Sequence, residues 1–95
     1  MKKTNILEKG LINEKGLNNL YIEATSEIVN NDKKVTLNFQ YENDCKDFYL
    51  TCFLNRFGFL VDKNKKINSN IEKANEILLD FDITKRDLRR LYCEV

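Results

Sequence analysis

Apolar and polar residues alternate in two neighbouring runs of the chain, Leu20–Val29 and Val35–Tyr41. Because successive side chains of a β-strand point to opposite faces, each run predicts a strand with one buried face. The polar cluster Asn30–Asp32 between the runs is typical of a turn, so residues 20–41 are predicted to form a β-hairpin. A lone hairpin is only marginally stable in water, and it therefore requires a third strand or a covering helix.

The segment 44–57 fits two interpretations. Read as a strand, it has apolar residues at alternate positions, but Tyr49 and Phe53 interrupt the polar side. Read as a helix, it gathers its polar residues into one narrow stripe, Asp44, Asp47, Thr51 and Asn55. Asn43 or Asp44 can cap the start of that helix, and Gly58 can close its end. The helical interpretation is preferred, with a short strand after it at residues 59–61. Such a helix is buried nearly all round, or lies in part at a dimer or partner interface.

Two helices are predicted after residue 68, each with a capping box at its start. Ser69 is followed three residues later by Glu72, and Thr84 by Asp87. Ile83 and Leu88 have the spacing of a hydrophobic staple around the second cap. The apolar faces of the two helices comprise Ile71, Ala74, Ile77, Leu78 and Phe81 in the first, and Leu88, Leu91 and Val95 in the second.

The first twenty residues contain the tetrapeptide EKGL twice, at Glu8–Leu11 and Glu14–Leu17. Gly10 and Gly16 argue against a continuous helix, and two copies are too few for a repeat architecture. Chance similarity in a turn-rich lead-in is the preferred interpretation. The sequence thus predicts one small α+β domain over residues 1–95. Its antiparallel sheet has the hairpin 20–41 at its centre and is packed with a central helix and a C-terminal helix pair.

Charge and composition exclude several kinds of function. The chain has 95 residues and a net charge of +1, which fits neither a strongly basic DNA-binding domain nor an acidic mimic of DNA. It has no histidine, the commonest general base and transition-metal ligand. Its carboxylates lack the loop spacing of a calcium site, and its three glycines never cluster into a phosphate-binding loop. We expect no catalytic, cofactor or metal site.

The three cysteines, Cys45, Cys52 and Cys93, show no CxxC spacing. No apolar run follows Met1 as in a signal peptide, and no stretch is long and apolar enough to span a membrane. These features predict a cytoplasmic protein with reduced thiols and no membrane partner.

Basic residues and two aromatic residues of the predicted central helix are the candidates for partner binding. The stretch ITKRDLRRLY places four cations on the outer side of the last helix, with Asp87 close enough to Arg90 to dilute the charge. Three interpretations stay open: a solvated helix face, a protein contact, and a recognition helix of a helix-turn-helix. The last fits poorly, because the turn lacks glycine and contains Asp80 and Asp82. The candidate residues are Lys85, Arg86, Arg89, Arg90, Lys63, Lys65, Lys66, Tyr49 and Phe57.

The function that remains is binding rather than catalysis. We expect a small non-enzymatic intracellular protein that binds and modulates or inhibits a larger protein or ribonucleoprotein partner. The bias toward asparagine, lysine and isoleucine is typical of AT-rich phages and mobile elements, whose small products include inhibitors of host defence such as anti-CRISPR proteins. The alternative is a small DNA- or RNA-binding regulator that uses the basic last helix. A homodimer stays open in either case.

Overall fold

The computed structural model describes residues 3–13, 16–43, 46–61 and 69–95. Five antiparallel strands form one sheet in the order β1-β2-β3-β4-β5, and two helices follow them, so the predicted mixed α+β class is confirmed. The elements are β1 (Lys3–Asn13), β2 (Gly16–Val29), β3 (Asp32–Asn43), β4 (Lys46–Leu54), β5 (Leu60–Val61), α1 (Ser69–Asp80) and α2 (Lys85–Glu94).

The predicted hairpin at residues 20–41 is confirmed as the β2–β3 pair. Its register places Leu20 opposite Tyr41 and Val29 opposite Asp32. The two turn residues both have a positive φ, 52° at Asn30 and 67° at Asn31. Two left-handed residues match the twist of the flanking strands, and asparagine tolerates that conformation better than other residues with a side chain.

The predicted central helix is wrong, because residues 46–54 form strand β4. β4 pairs with β3 along its whole length, and Cys52 lies opposite Leu37. Leu50, Cys52 and Leu54 are buried, whereas Tyr49 is exposed on the opposite face of the sheet. The alternation of a half-buried strand was therefore present, but aromatic residues on the solvent side of β4 concealed it. The short strand predicted at residues 59–61 is confirmed as β5.

The prediction of a turn-rich lead-in is also wrong, because residues 3–13 form strand β1. β1 pairs with β2 from Lys3 opposite Ser26 to Asn13 opposite Gly16. Gly10 is therefore inside a strand, where glycine weakens local preference but is compatible with extended backbone. Pairing with β2 therefore outweighs the weak intrinsic strand preference of residues 3–13. The second EKGL copy begins outside the described residues.

Both helices pack against the same face of the sheet, and the hydrophobic core lies between that face and the helices. The predicted inner positions of the helices are buried at Ala74, Ile77, Leu78, Phe81, Leu88, Leu91 and Val95. Ile83, the first half of the predicted staple, is buried as well. The sheet contributes Leu20, Ile22, Ala24, Val35, Leu37, Phe39, Leu50, Cys52 and Leu54. Helix α1 ends in a Schellman motif, which leads directly to α2. In this motif Asp82 takes a φ of 56°, and the amide of Ile83 donates to the carbonyl of Leu78 over 2.9 Å.

The opposite side of the sheet, called the open face below, faces away from both helices. Its larger side chains include Tyr49, which is 64% exposed, together with Ile6 and Tyr21. Between them stand polar residues of the central strands, such as Asn38 and Gln40. Within the described parts of the chain, no helix covers this face.

Replacing Leu37 with Asp tests the one-sided core. Leu37 is fully buried at the centre of β3, so a carboxylate there loses its hydration without gaining a partner. We expect the Leu37→Asp variant to be unfolded at 25 °C, as measured by circular dichroism and urea titration. The control is Gln40→Asp, which adds the same side chain to an exposed position of the same strand. A cooperative transition in Leu37→Asp with the wild-type midpoint would contradict the assigned face.

Candidate functional site

The turn between β4 and β5 is held rigid by the side chain of Asn55. Its Oδ1 accepts hydrogen bonds from the amides of Phe57 and Phe59, both over 3.0 Å. The backbone closes the same turn, since the amide of Gly58 donates to the carbonyl of Asn55 over 3.1 Å. Phe57 and Phe59 are nevertheless 55% and 51% exposed. The turn therefore presents two phenyl rings to solvent in a fixed backbone geometry.

Gly58 brings this turn directly against the start of α2. It has a φ of +86°, and a Cβ placed there would lie 2.7 Å from the Cγ of Lys85 and 2.8 Å from its carbonyl oxygen. The close approach puts the Nζ of Lys85 3.8 Å from the centroid of the Phe59 ring. On the other side of the glycine, the guanidinium of Arg56 lies 4.8 Å from the centroid of Phe57. Each exposed ring thus has a cation over one face, a favourable arrangement.

The capping box at Thr84 sets the first turn of α2, as predicted. The Oδ2 of Asp87 accepts from the amide and hydroxyl of Thr84 over 2.9 and 3.1 Å, and the amide of Asp87 donates to the Thr84 hydroxyl over 3.2 Å. The hydrogen bond from the Thr84 backbone holds the pKa of Asp87 below its ordinary value. Burial is the second-largest effect and opposes this shift, whereas the Thr84 hydroxyl and the charges of Arg90 and Lys9 lower the pKa further.

The cations of α2 are exposed on the side of the helix away from the sheet. Lys85, Arg86 and Arg89 lie there, Arg90 is exposed as well, and none of the four forms an ion pair with a carboxylate of the described residues. Asp87 keeps its negative charge while it forms the cap, and the charge of Arg90 lowers its pKa, in keeping with the predicted dilution of the basic charge. Arg90 stands apart on the flank nearest β1, where it lines a small cleft with Asn5 and Leu7.

A groove of about 390 Å³ separates the turn from α1 and is lined by Phe59, Leu79, Lys85 and Leu88 among others. A larger groove of about 510 Å³ lies on the other side of the turn, between the tip of the β2–β3 hairpin and the end of α2. Three cations and three aromatic residues line this second groove, Lys33, Lys34, Arg56, Phe53, Phe57 and Tyr92, and its lining contains no carboxylate.

A clasp between Lys33 and Tyr92 forms the far wall of the larger groove. The Nζ of Lys33 donates to the carbonyl of Tyr92 and lies 4.7 Å from the centroid of its ring. The Tyr92 hydroxyl donates in return to the carbonyl of Lys33 over 3.4 Å. These contacts fix the hairpin tip against α2. The position also suits the charge of Lys33, because a cation is favourable at the C-terminal end of a helix.

The β4–β5 turn, the exposed side of α2 and the tip of the β2–β3 hairpin together form what we call the basic–aromatic surface. It comprises Lys33, Lys34, Arg56, Phe57, Phe59, Lys85, Arg86 and Arg89. The structure thus brings the predicted residue Phe57 together with three of the four predicted cations of α2, whereas Arg90 lies apart. Sequence reasoning missed Arg56, Phe59 and the two lysines of the hairpin tip, since they are far from α2 along the chain. The Asn55-x-Phe-Gly-Phe stretch was the available signal, because a glycine flanked by aromatics after a polar capping residue indicates a turn.

The other predicted site residues do not join this surface. Tyr49 lies on the open face of the sheet, opposite Gln40 on β3, and so on the far side of the sheet from the helices. Lys63, Lys65 and Lys66 lie outside the described residues.

No metal or membrane feature stands out in the described part of the chain. The chain has no histidine, and among the described residues no three cysteines, aspartates or glutamates lie close enough together to hold a metal ion. None of the described helices is long and apolar enough to cross a membrane. Cys52 is a buried cysteine and Cys93 an exposed one, and neither is part of a disulfide; Cys45 is not among the described residues.

Comparison of the chain with protein-family models, with curated proteins and with solved structures finds no match. The functional assignment therefore rests on the geometry of the described residues.

Replacing Gly58 with Ala tests the fit of the turn against α2. The added methyl group meets backbone as well as side chain of Lys85, and alanine is strained at a φ of +86°. We expect a loss of about 1–3 kcal/mol in the free energy of unfolding, measured by urea titration. The control is Phe57→Ala in the same turn, which removes an exposed ring and should change stability much less. Equal stability of Gly58→Ala and wild type would mean that the turn does not rest on α2.

The pH dependence of stability tests the capping box. Because the folded pKa of Asp87 lies below its unfolded value, the carboxylate stabilises the fold above the unfolded pKa of about 3.9. This contribution is lost as pH falls through the folded pKa. We expect Asp87→Asn to be less stable than wild type at pH 7, and the difference between the two proteins to narrow at pH 3. A difference that is constant between pH 7 and pH 3 would show that the charge has no role in the cap.

Proposed function

We propose that this chain is a small non-enzymatic interaction protein that binds a larger protein partner through the basic–aromatic surface and so modulates or inhibits it. The observation that carries the proposal is the pairing of exposed phenyl rings and uncompensated cations on one rigid surface. Phe57 and Phe59 project from a turn fixed by Asn55, and Lys85, Arg86 and Arg89 border them on α2.

The composition of this surface favours a protein partner over a nucleic acid. Phenylalanine and arginine are enriched at protein interfaces, and a buried aromatic side chain often supplies much of the binding energy. Nucleobases bind by stacking on ring faces, but Lys85 and Arg56 already occupy one face of each ring. The groove beside Phe57 offers instead a pocket for an apolar side chain, with cations at its border.

The charge of the surface indicates the chemistry of the partner. A surface with six described cations and no carboxylate in its main groove is complementary to an acidic surface that carries an apolar side chain. The rigid turn lowers the entropy that is lost on binding, because the backbone of the rings is already ordered. An acidic protein, or the protein component of a ribonucleoprotein, satisfies these requirements.

The finer proposal of an anti-CRISPR-like inhibitor carried by a phage or mobile element rests on composition and size. Asparagine, lysine and isoleucine are abundant, and the chain is short. An intracellular inhibitor of this kind needs a binding surface and no catalytic site, which is the type of protein proposed here.

The second candidate is a DNA- or RNA-binding regulator, which the row of cations on α2 favours. Each phosphate contact releases counterions, so binding of this kind weakens steeply with salt. Binding to an acidic protein is also sensitive to salt, but it survives treatment with nuclease. Whether binding survives treatment with nuclease therefore distinguishes the two candidates.

A double charge reversal tests the proposal. The variant Arg86→Glu/Arg89→Glu changes exposed residues of the surface and leaves the buried residues Leu88 and Leu91 in place. The control Lys3→Glu/Lys73→Glu makes the same change in net charge at exposed positions of β1 and α1. We expect wild type and control to retain one protein partner in affinity capture with nuclease, identified by mass spectrometry, and the double variant to bind it at least roughly tenfold more weakly.

Two outcomes contradict the proposal. Retention of the same partner by Arg86→Glu/Arg89→Glu would place the interface elsewhere. Submicromolar binding of purified wild type to a defined duplex at physiological salt, abolished in the double variant, would favour the regulator instead.

A further inference from the structure

A shallow concavity of about 360 Å³ lies on the open face of the sheet, which the basic–aromatic surface does not reach. Tyr21, Gln40 and Tyr49 are direct cross-strand neighbours on β2, β3 and β4, with the glutamine in the middle. Neighbouring strands are about 4.8 Å apart, so the two tyrosines are attached roughly 10 Å from each other. A planar group stacked between two rings needs roughly 7 Å, since each contact takes about 3.5 Å. The row therefore has room for one flat group above Gln40.

The charge of this concavity is opposite to that of the basic–aromatic surface. Glu8 lies opposite Tyr21 on β1, and Glu23 is two residues further along β2 on the same face. Both carboxylates line the concavity and are exposed, and no lysine or arginine of the described residues lines it. The open face is thus acidic where its tyrosines stand.

A polar row across three strands reaches one of these carboxylates. The amide nitrogen of Asn38 donates to the Oε1 of Glu23 over 3.5 Å, and the Thr51 hydroxyl donates to the Oδ1 of Asn38 over 2.8 Å. Because the strong bond from Thr51 fixes the amide of Asn38, its nitrogen points toward Glu23. The second oxygen of that carboxylate stays available to a ligand.

We infer that this concavity binds an arginine side chain from a basic segment of a protein partner. A guanidinium is planar, stacks on aromatic rings and forms bidentate hydrogen bonds with a carboxylate, so it matches both the tyrosine pair and Glu23. A lysine ammonium carries the same charge, but it is not planar and cannot stack between two rings in the same way. Single-stranded nucleic acid could stack on the same rings, but its phosphates require cations, and Glu8 and Glu23 repel them.

The test uses an end-blocked tetra-arginine peptide and the ¹⁵N-labelled full chain, with amide chemical shifts recorded by NMR. We expect saturable shifts centred on Tyr21, Gln40 and Tyr49. The variants Tyr49→Ala and Glu23→Gln should each weaken binding roughly fivefold, as expected for loss of a cation–π contact or a charged hydrogen bond. Tyr49 and Glu23 are exposed, so both variants should retain the wild-type pattern of amide shifts elsewhere. The control Glu76→Gln removes an exposed carboxylate of α1, which does not line the concavity, and should leave binding unchanged.

Four results would overturn the inference. Equal weakening by Glu76→Gln would show that the peptide responds to charge alone. Binding of a tetra-lysine peptide as tight as that of tetra-arginine would remove the role of the planar group. Shifts at Tyr21 and Tyr49 on adding an oligothymidylate would assign the face to nucleic acid, and the same shifts on concentrating the protein without peptide would assign it to a second copy.

Discussion

The burial of one face of the sheet is the constraint on which the rest of the structure depends. Strands β2, β3 and β4 each place apolar side chains at alternate positions, and these must leave water together. The sheet is a simple meander, and among the described residues no helix comes between its strands to cover that face. The two C-terminal helices supply the cover, and most of their apolar positions join the same core cluster as the sheet. The polar character of the outer helix sides follows from this packing.

The packing of α2 decides where the charges of ITKRDLRRLY lie. Leu88 and Leu91 face the core, so the arginines between them must face solvent. The capping box at Thr84 fixes where the helix starts, and thus which residues fall on which side. Gly58 then allows the β4–β5 turn to contact Lys85 closely. The basic–aromatic surface is therefore a consequence of core packing, one helix cap and one glycine.

Much of the fold could be predicted from local patterns, and the errors have physical causes. The β2–β3 hairpin, the buried faces of the helices and the cap of α2 follow from alternation and from residue spacing, which are properties of short segments. β4 was mistaken for a helix because Tyr49 and Phe53 lie toward the open face, where a half-buried strand normally has polar residues. β1 was missed because a strand at the edge of a sheet, containing Gly10, gains its structure from pairing with β2 rather than from its own preference.

The candidate site was only partly predictable for a related reason. The cations of α2 were visible as a run, but the residues that complete the surface come from other elements. Lys33 and Tyr92 are in direct contact although they are 59 positions apart. Tyr49 and Phe57 are both exposed aromatics, yet Tyr49 lies on the open face of β4 and Phe57 in the β4–β5 turn. Composition cannot reveal such groupings, since only the register of the strands states which side chains share a face.

A net charge near zero also conceals how the charges are arranged. The value of +1 suggested a weakly charged molecule, but it is a sum over surfaces of opposite sign. Cations gather on α2 and the hairpin tip, whereas Glu8 and Glu23 stand beside the tyrosines of the open face. Screening limits the interaction between exposed charges to about 10 Å, so a partner that docks on one surface responds to that surface and hardly to the other. The small net charge therefore argues against a uniformly basic or acidic protein, but it does not argue against either of the two charged surfaces.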